Sequence, residues 1–392
     1  MSKLLIVSGF WPTTTNPISG IFVAQQVAAF ARLGCDVTVV AIRNAVHISR
    51  RLLTPRELGM EHERLTFLEV PVLSLPDMVL GVPGVPYANV WMSRQGLSSQ
   101  LWKAGIGSDF DSLVVHGLRY VGLSMPMLKR HVRGRALTVL HGRDPRLQDP
   151  ATRARFSSSI EAAERACDST ILVGTSLQEY ALSLGILPER TIVLGNGTVL
   201  PCRENVSLRQ RSTDERRIVL SVSNLLPWKG IDLNLRALAS VRAVSPTLDW
   251  EYRIVGDGPE LNRLVSLTDM LGLTDRVRFL GRLSYEESMN EMAGCDVFSM
   301  PSWAEAFGIV YLEAMARGRP VIGCRDNGPA DFITDGHDGF LVPPHDVNAL
   351  ADRLGLLLLD PAQATEMGKN ALDTAQAHSW DANARRFLEL LN

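Results

Sequence analysis

Glu305 and Glu313 stand eight positions apart in the run Glu305-Ala306-Phe307-Gly308-Ile309-Val310-Tyr311-Leu312-Glu313. Eight residues of helix rise roughly 12 Å, too far for two carboxylates to share one proton or one metal ion. That spacing suits two ends of one elongated ligand, and a nucleotide-sugar has that length. The apolar spacing of Ile309, Val310, Leu312, Ala314 and Met315, available to bury one side, predicts a helix over 307–317. Its start offers the backbone N–H groups of Phe307, Gly308 and Ile309 to an anion, with glycine permitting close approach and the helix dipole favouring negative charge. The plain alternative is a pair of solvated acids on an amphipathic helix.

A cation of matching purpose stands upstream, in Pro227-Trp228-Lys229-Gly230-Ile231-Asp232. This segment follows an apolar run and opens a helix predicted over 233–242. A lysine there opposes the helix dipole at a cost of about 0.3–1 kcal/mol, which a bound phosphate would remove. A surface lysine whose stem covers Trp228 is the competing reading. His116 and His141 each end an apolar run, where side chains emerge at the rim of a parallel sheet. In His141-Gly142-Arg143-Asp144-Pro145, Asp144 either orients an acceptor or His141, or starts a turn. Val255-Gly256-Asp257-Gly258 resembles a glycine-rich dinucleotide loop but has two glycines only, so a strand-to-helix turn serves equally well. Arg282 follows another short apolar run. Asp109-Phe110-Asp111 has the look of a metal clamp, yet it precedes its strand, opposite the end where ligands gather, and reads as structural.

The elements that must position these residues alternate short apolar runs with helical patterns, the signature of stacked βαβ units. Strands are predicted at 4–8, 37–41, 113–116, 136–141 and 169–174, with a turn-rich loop over 9–20 leading from the first strand into a helix at 21–32. A second series reads 218–223, 250–255, 277–280, 297–300, 321–323 and 339–342. Residues 198–216 lack periodicity and are assigned to a linker. Pro76, Pro83 and Pro86 exclude a long helix across the apolar stretch 72–92.

The order of a buried strand ending in Cys295-Asp296-Val297-Phe298-Ser299-Met300-Pro301-Ser302, then Glu305 to Glu313, then Gly318-Arg319-Pro320-Val321-Ile322-Gly323, closely resembles the donor-binding segment of retaining glycosyltransferases of the GT-B fold, particularly glycosyltransferase family 4. The resemblance extends over nearly the whole chain. It implies an α/β architecture of two Rossmann-like, doubly wound domains facing a cleft: 1–197 for the acceptor, the linker 198–216, 217–378 for the nucleotide-sugar, and a helix at 379–392 crossing back to the first domain. It also implies catalytic roles for Glu305, His141 and Lys229, the last on the donor diphosphate. Gly20, Asn224, Gly256, Arg282, Phe307, Gly308, Ile309 and Glu313 would contact the donor, with Glu313 on the ribose. His116 and Asp144 would position sugar or acceptor. Neither metal nor cofactor is implied. Asn224 departs from the arginine that many members carry there, unless Arg282 or Arg325 fills the gap from another loop.

Composition sets the outer limits. With 392 residues, 46% hydrophobic and 21% charged, the chain can bury two cores. No apolar run approaches the ~20 residues of a transmembrane helix, and the run 4–9 is too short for a signal peptide. Five cysteines without a Cys-x-x-Cys pair speak against a disulfide framework or zinc site, so a cytoplasmic location is expected. Residues 1–200 hold 20 Lys/Arg against 15 Asp/Glu, and the rest 20 against 27. The positive half, with Arg43, Arg50, Arg51, Arg56 and Arg64 close together, is either an ordinary solvated surface or a patch for a phosphate-bearing, membrane-borne acceptor at the inner membrane face. The expected partners are a nucleotide-sugar donor and a glycan or lipid-linked acceptor, with no nucleic acid. A nucleotide-sugar epimerase of the same fold and a non-catalytic nucleotide-binding assembly protein are the alternatives.

Overall fold

The computed structural model describes residues 2–44, 51–72, 85–118, 121–202 and 215–392. The chain divides into two compact units, one of Met1–Gly197 with Trp380–Asn392 and one of Thr198–Ser379.

The first unit contains β1 (Lys3–Ser8), α1 (Ile21–Arg32), β2 (Asp36–Asn44), β3 (Leu65–Val72), α2 (Val85–Lys103), β4 (Ser112–His116), α3 (Met125–Leu128), β5 (Ala136–Leu140), α4 (Pro145–Gln148), α5 (Pro150–Ala166), β6 (Ser169–Leu172), α6 (Gln178–Ser183) and β7 (Thr191–Val193). Its strands form one sheet in the order β3-β2-β1-β4-β5-β6-β7, every neighbouring pair parallel. β4 and β5 are buried along their whole length, which explains why they read as unbroken apolar runs rather than alternating ones. Two strands, β3 and the three-residue β7, escaped the sequence reading because each is only partly buried and carries a weaker apolar signal.

The prolines near α2 act otherwise than expected. The helix opens at Val85 and runs for 19 residues, with Pro86 in the first turn, where a missing N–H costs nothing. The rest of that apolar stretch, residues 73–84, lies outside the described residues, as do Arg50 and most of the expected linker, 203–214.

The second unit contains β8 (Arg217–Val222), α7 (Ile231–Val244), β9 (Trp250–Val255), α8 (Leu261–Met270), β10 (Val277–Gly281), α9 (Tyr285–Gly294), β11 (Val297–Ser299), α10 (Ile309–Met315), β12 (Val321–Cys324), β13 (Gly339–Val342), α11 (Val347–Leu359) and α12 (Pro361–Ala377). Its six parallel strands lie in the order β10-β9-β8-β11-β12-β13. Trp250, Tyr252, Leu235, Leu238 and Leu354 anchor the core. Within it, Asn234 of α7 donates to the Ser299 carbonyl at 2.9 Å and to the Tyr252 hydroxyl at 3.0 Å. The last helix, α13 (Trp380–Leu391), belongs to the first unit. There Phe387 meets Phe30 of α1 edge-on at 6.1 Å, and the Trp380 indole donates to Gln25 at 2.7 Å.

Both sheets reverse direction of growth next to their first strand, between β1 and β4 and between β8 and β11. Loops leaving the carboxyl ends of those strands part there and open a crevice, the usual ligand position in a doubly wound sheet.

Candidate functional site

In the second unit the two sides of that crevice supply Lys229 and Glu305. Lys229 lies in a single 3-10 turn after β8, just before Gly230 caps α7, so it precedes the helix rather than standing in its first turn. Glu305 lies in the loop after β11. Although 76 residues separate them, the Lys229 Nζ donates to Glu305 Oε2 at 2.5 Å. Their side chains are only 16% and 17% exposed, so solvent screens this pair less than a surface ion pair. The Glu305 backbone is held in turn by the loop after β12: its N–H donates to Asn327 Oδ1 at 3.4 Å, and its carbonyl accepts from Gly328 N at 3.0 Å.

Gly308 joins this loop to α10 at φ 93°, a conformation that disfavours any residue with a Cβ. Such a Cβ would also lie 2.7 Å from the Tyr311 ring and 3.3 Å from Glu305 Cγ. The Tyr311 hydroxyl donates to the Met300 carbonyl at the end of β11, tying the helix to the strand before the loop. α10 covers seven residues, shorter than the predicted 307–317. Phe307 is buried against Phe332, with ring centroids 5.0 Å apart, so its side chain packs into the core and its backbone is what it offers to the loop. Glu313, midway along α10, is partly buried. Burial holds its carboxyl above the usual range, while the Tyr285 hydroxyl and the Arg317 guanidinium pull the other way.

The remaining predicted donor residues occupy neighbouring loops. Asn224, two residues past β8, is exposed. Gly256 follows β9 directly at φ 126°, and a Cβ there would stand 1.8 Å from the Ser223 carbonyl oxygen. Its glycine is therefore required by the backbone crossing beside Asn224. Arg282 is 67% exposed and lies 3.9 Å from Asp257, whereas Arg325 donates to the Leu341 carbonyl at 3.1 Å. The buried hydroxyls of Ser223 and Ser302, in the loops that carry Asn224 and Glu305, have no hydrogen-bond partner among the described residues.

In the first unit His116 and His141 come together at the ends of neighbouring strands. His116 Nδ1 and His141 Nε2 are 2.8 Å apart, and Phe10 and Phe22 pack against His141 at 5.7 and 4.5 Å between ring centroids. Burial pushes His116 down to about 3 and His141 well below its ordinary value, the neighbouring ring adding to the effect on His141. Both imidazoles are thus neutral at pH 7, one donating to the other. The outer nitrogens, His116 Nε2 and His141 Nδ1, are buried and have no hydrogen-bond partner among the described residues. Gly20 caps α1 against the Phe10–Trp11 backbone. Asp144 accepts from Arg146 N at 3.0 Å to cap α4, and its own N–H donates to Tyr180 at 3.0 Å.

Asp109 accepts from Lys3 Nζ and Asp111 from Lys3 N, both at 2.8 Å, so this pair fastens the start of β1. No three His, Cys, Asp or Glu side chains cluster as metal ligands among the described residues. Of the early arginine cluster, Arg43 pairs with Glu69 and Arg51 with Glu57 at 2.5 Å, and Arg64 with Asp36 at 2.9 Å, while Arg56 stands exposed 3.9 Å from Glu61. This favours the solvated-surface reading of that cluster. Sequence reasoning missed Asn327, Tyr311 and the Trp303–His345 ring contact, with centroids 4.2 Å apart. Asn327-Gly328-Pro329 carries a turn signal, but nothing in it points to Glu305.

Residues 203–374 match the family model for glycosyl transferases group 1. A GDP-mannose-dependent alpha-(1-6)-phosphatidylinositol monomannoside mannosyltransferase of Mycolicibacterium smegmatis is 38% identical over 189 residues, covering 45% of this chain and 48% of that protein. The chain thus spans about half the length of that relative. A D-inositol 3-phosphate glycosyltransferase of Kribbella flavida is 28% identical over 88% of both chains. Among solved structures, sucrose-phosphate synthase of Thermosynechococcus elongatus has a TM-score of 0.74 at 22% identity, covering 100% of this chain and 98% of that one. With two parallel, doubly wound Rossmann-like sheets and structural likeness over its whole length, the chain has the fold of the GT-B glycosyltransferases, and the match to the glycosyl transferases group 1 model spans nearly all of its second unit.

Proposed function

We propose that this protein is a retaining, metal-independent glycosyltransferase of family 4, moving a sugar from a nucleoside diphosphate donor to a lipid-linked glycan acceptor. The observation that carries the reading is the Lys229–Glu305 pair at the crevice of the second sheet, beside the left-handed Gly308. Lys229 has three N–H donors and spends one on Glu305, leaving others for a diphosphate. As the bond to the sugar breaks, negative charge grows on the leaving phosphate. Lys229 and the N–H groups of Phe307, Gly308 and Ile309 would stabilise it where little water competes. Glu305 would then hold the sugar or its phosphate end and Glu313 the ribose.

Attack on the face from which the diphosphate departs needs no protein nucleophile, because the leaving phosphate can take the acceptor's proton. The histidines fit a supporting role: neutral His141 offers a hydrogen bond to a sugar hydroxyl rather than a proton to the leaving group. Asn224, Gly256 and Arg282 would border the nucleotide, Gly20 the donor, and His116 and Asp144 would position sugar or acceptor.

Incubation with a panel of nucleotide-sugars, GDP-mannose first because of the mannosyltransferase relative, tests the proposal. Transfer to a polyprenyl- or inositol-lipid acceptor, with EDTA present and anomeric configuration read by NMR, is the expected outcome. An inverted linkage or a strict requirement for a divalent cation refutes the mechanism. Isomerisation of the donor without acceptor identifies an epimerase, and binding without turnover a non-catalytic protein.

A further inference from the structure

Two tryptophans on α2 are unusually open to solvent, Trp91 at 62% and Trp102 at 80% exposure. Eleven residues separate them. At 3.6 residues per turn this places both rings on one line of the helix, about 20° apart in azimuth and roughly 16 Å apart along the axis. The positions between them on that line, Gln95, Ser98 and Ser99, are exposed and polar. Such a face lacks the continuous apolar centre that a protein interface buries. Isolated indole rings on a polar helix face suit the headgroup zone of a bilayer, where each ring buries its body and keeps its N–H in water.

Charge points the same way. α2 contains Arg94 and Lys103 and no acidic residue. Arg94 turns inward to the Leu123 carbonyl, while Lys103 is exposed beside Trp102. The chain just beyond α2 is joined to a basic turn: His131 Nδ1 lies 3.0 Å from the Gly107 carbonyl, and Arg130 and Arg133 on that turn are exposed. The nearest acids in sequence, Asp109 and Asp111, are occupied by Lys3.

We propose that the Trp91–Trp102 face of α2, with Lys103, Arg130 and Arg133, is the surface by which this protein docks on an anionic lipid bilayer. α2 begins on the carboxyl side of the sheet, after β3, and ends on the amino side, before β4. A bilayer lying along the helix would therefore have Trp91 toward the edge that carries His116 and His141. The inference deepens the proposed lipid-linked acceptor by naming the membrane-facing surface, but its test uses neither donor nor acceptor, so the two readings fail separately.

The purified full chain is sedimented with phosphatidylcholine vesicles and with phosphatidylcholine–phosphatidylglycerol vesicles, without substrate. Binding to the anionic vesicles alone, weakening as salt rises, is expected. In the Trp91→Ser/Trp102→Ser variant the partition should fall by about tenfold or more, because the inserted apolar area is lost. Lys103→Glu/Arg130→Glu should lower it and flatten its salt dependence. Both pairs are exposed, so thermal unfolding should be unchanged and a fall in binding reads the surface itself. Absence of vesicle binding, equal binding to neutral vesicles, or full binding by the tryptophan variant overturns the proposal. So does a dimer in light scattering that these same tryptophan substitutions dissolve, which assigns the face to a second copy of the chain.

Discussion

Replacing Glu305 with Gln removes one charge at nearly constant volume and leaves Lys229 facing a neutral amide. With both side chains about one-sixth exposed and 2.5 Å between Nζ and Oε2, the pair lies between two regimes. Solvent-exposed pairs contribute about 0.2–1 kcal/mol, while breaking a fully buried pair costs about 3–5 kcal/mol. A loss of about 1–3 kcal/mol follows. For a unit of this size each kcal/mol lowers the melting temperature by about 2–4 °C, so the apo protein should melt roughly 2–12 °C lower. The same substitution has the opposite effect on a bound diphosphate, since Lys229 no longer divides its field with a carboxylate. Nucleoside diphosphate should bind more tightly in Glu305→Gln by calorimetry, even though transfer is impaired where Glu305 holds the sugar. A double-mutant cycle with Lys229→Met isolates the pair. A coupling below about 0.5 kcal/mol, the value of a screened surface pair, together with unchanged diphosphate affinity, would refute the reasoning.

Three further outcomes are expected. His116 and His141 are held neutral by burial, with folded-state values below the unfolded one, about 3 for His116; their contribution is complete above about pH 6.5 and is lost as the pH falls below it, at up to about 1.4 kcal/mol per pH unit for each ring. Melting curves between pH 7 and 5 should therefore fall less steeply in His116→Phe/His141→Phe than in wild type, and equal slopes would contradict the buried, neutral pair. Because burial raises the Glu313 carboxyl, its charge opposes folding at neutral pH. Glu313→Gln should keep or raise the melting temperature while weakening donor binding, and a marked loss of stability would show that the charge is needed by the fold. Asn224→Arg should tighten nucleoside diphosphate binding by about 1 kcal/mol, since Arg282 faces Asp257 and Arg325 a backbone carbonyl; calorimetry showing no change would remove Asn224 from the phosphate site.

Much of this molecule is legible in one dimension because its signals are local. Fully buried parallel strands such as β4 and β5 appear as apolar runs, and the alternation of such runs with helical periodicity requires doubly wound sheets. The Glu305–Glu313 segment is recognisable since a strand end, a glycine and a helix start are adjacent in the chain. Partly buried β3 and the opening of α2 within a proline-rich stretch lack that clarity, because a weak pattern or a tolerated first-turn proline looks like a loop. What tertiary structure alone decides is which distant residues meet. Strand order sets β8 beside β11 and so brings Lys229 within 2.5 Å of Glu305, just as β4 beside β5 couples His116 to His141. Charge state follows from those meetings and from burial: nothing in the sequence marks His141 as neutral, the Glu313 carboxyl as raised, or Asn327 as the clamp on Glu305. Hydrophobic periodicity is a property of neighbours in sequence, whereas ion pairing and desolvation are properties of neighbours in space.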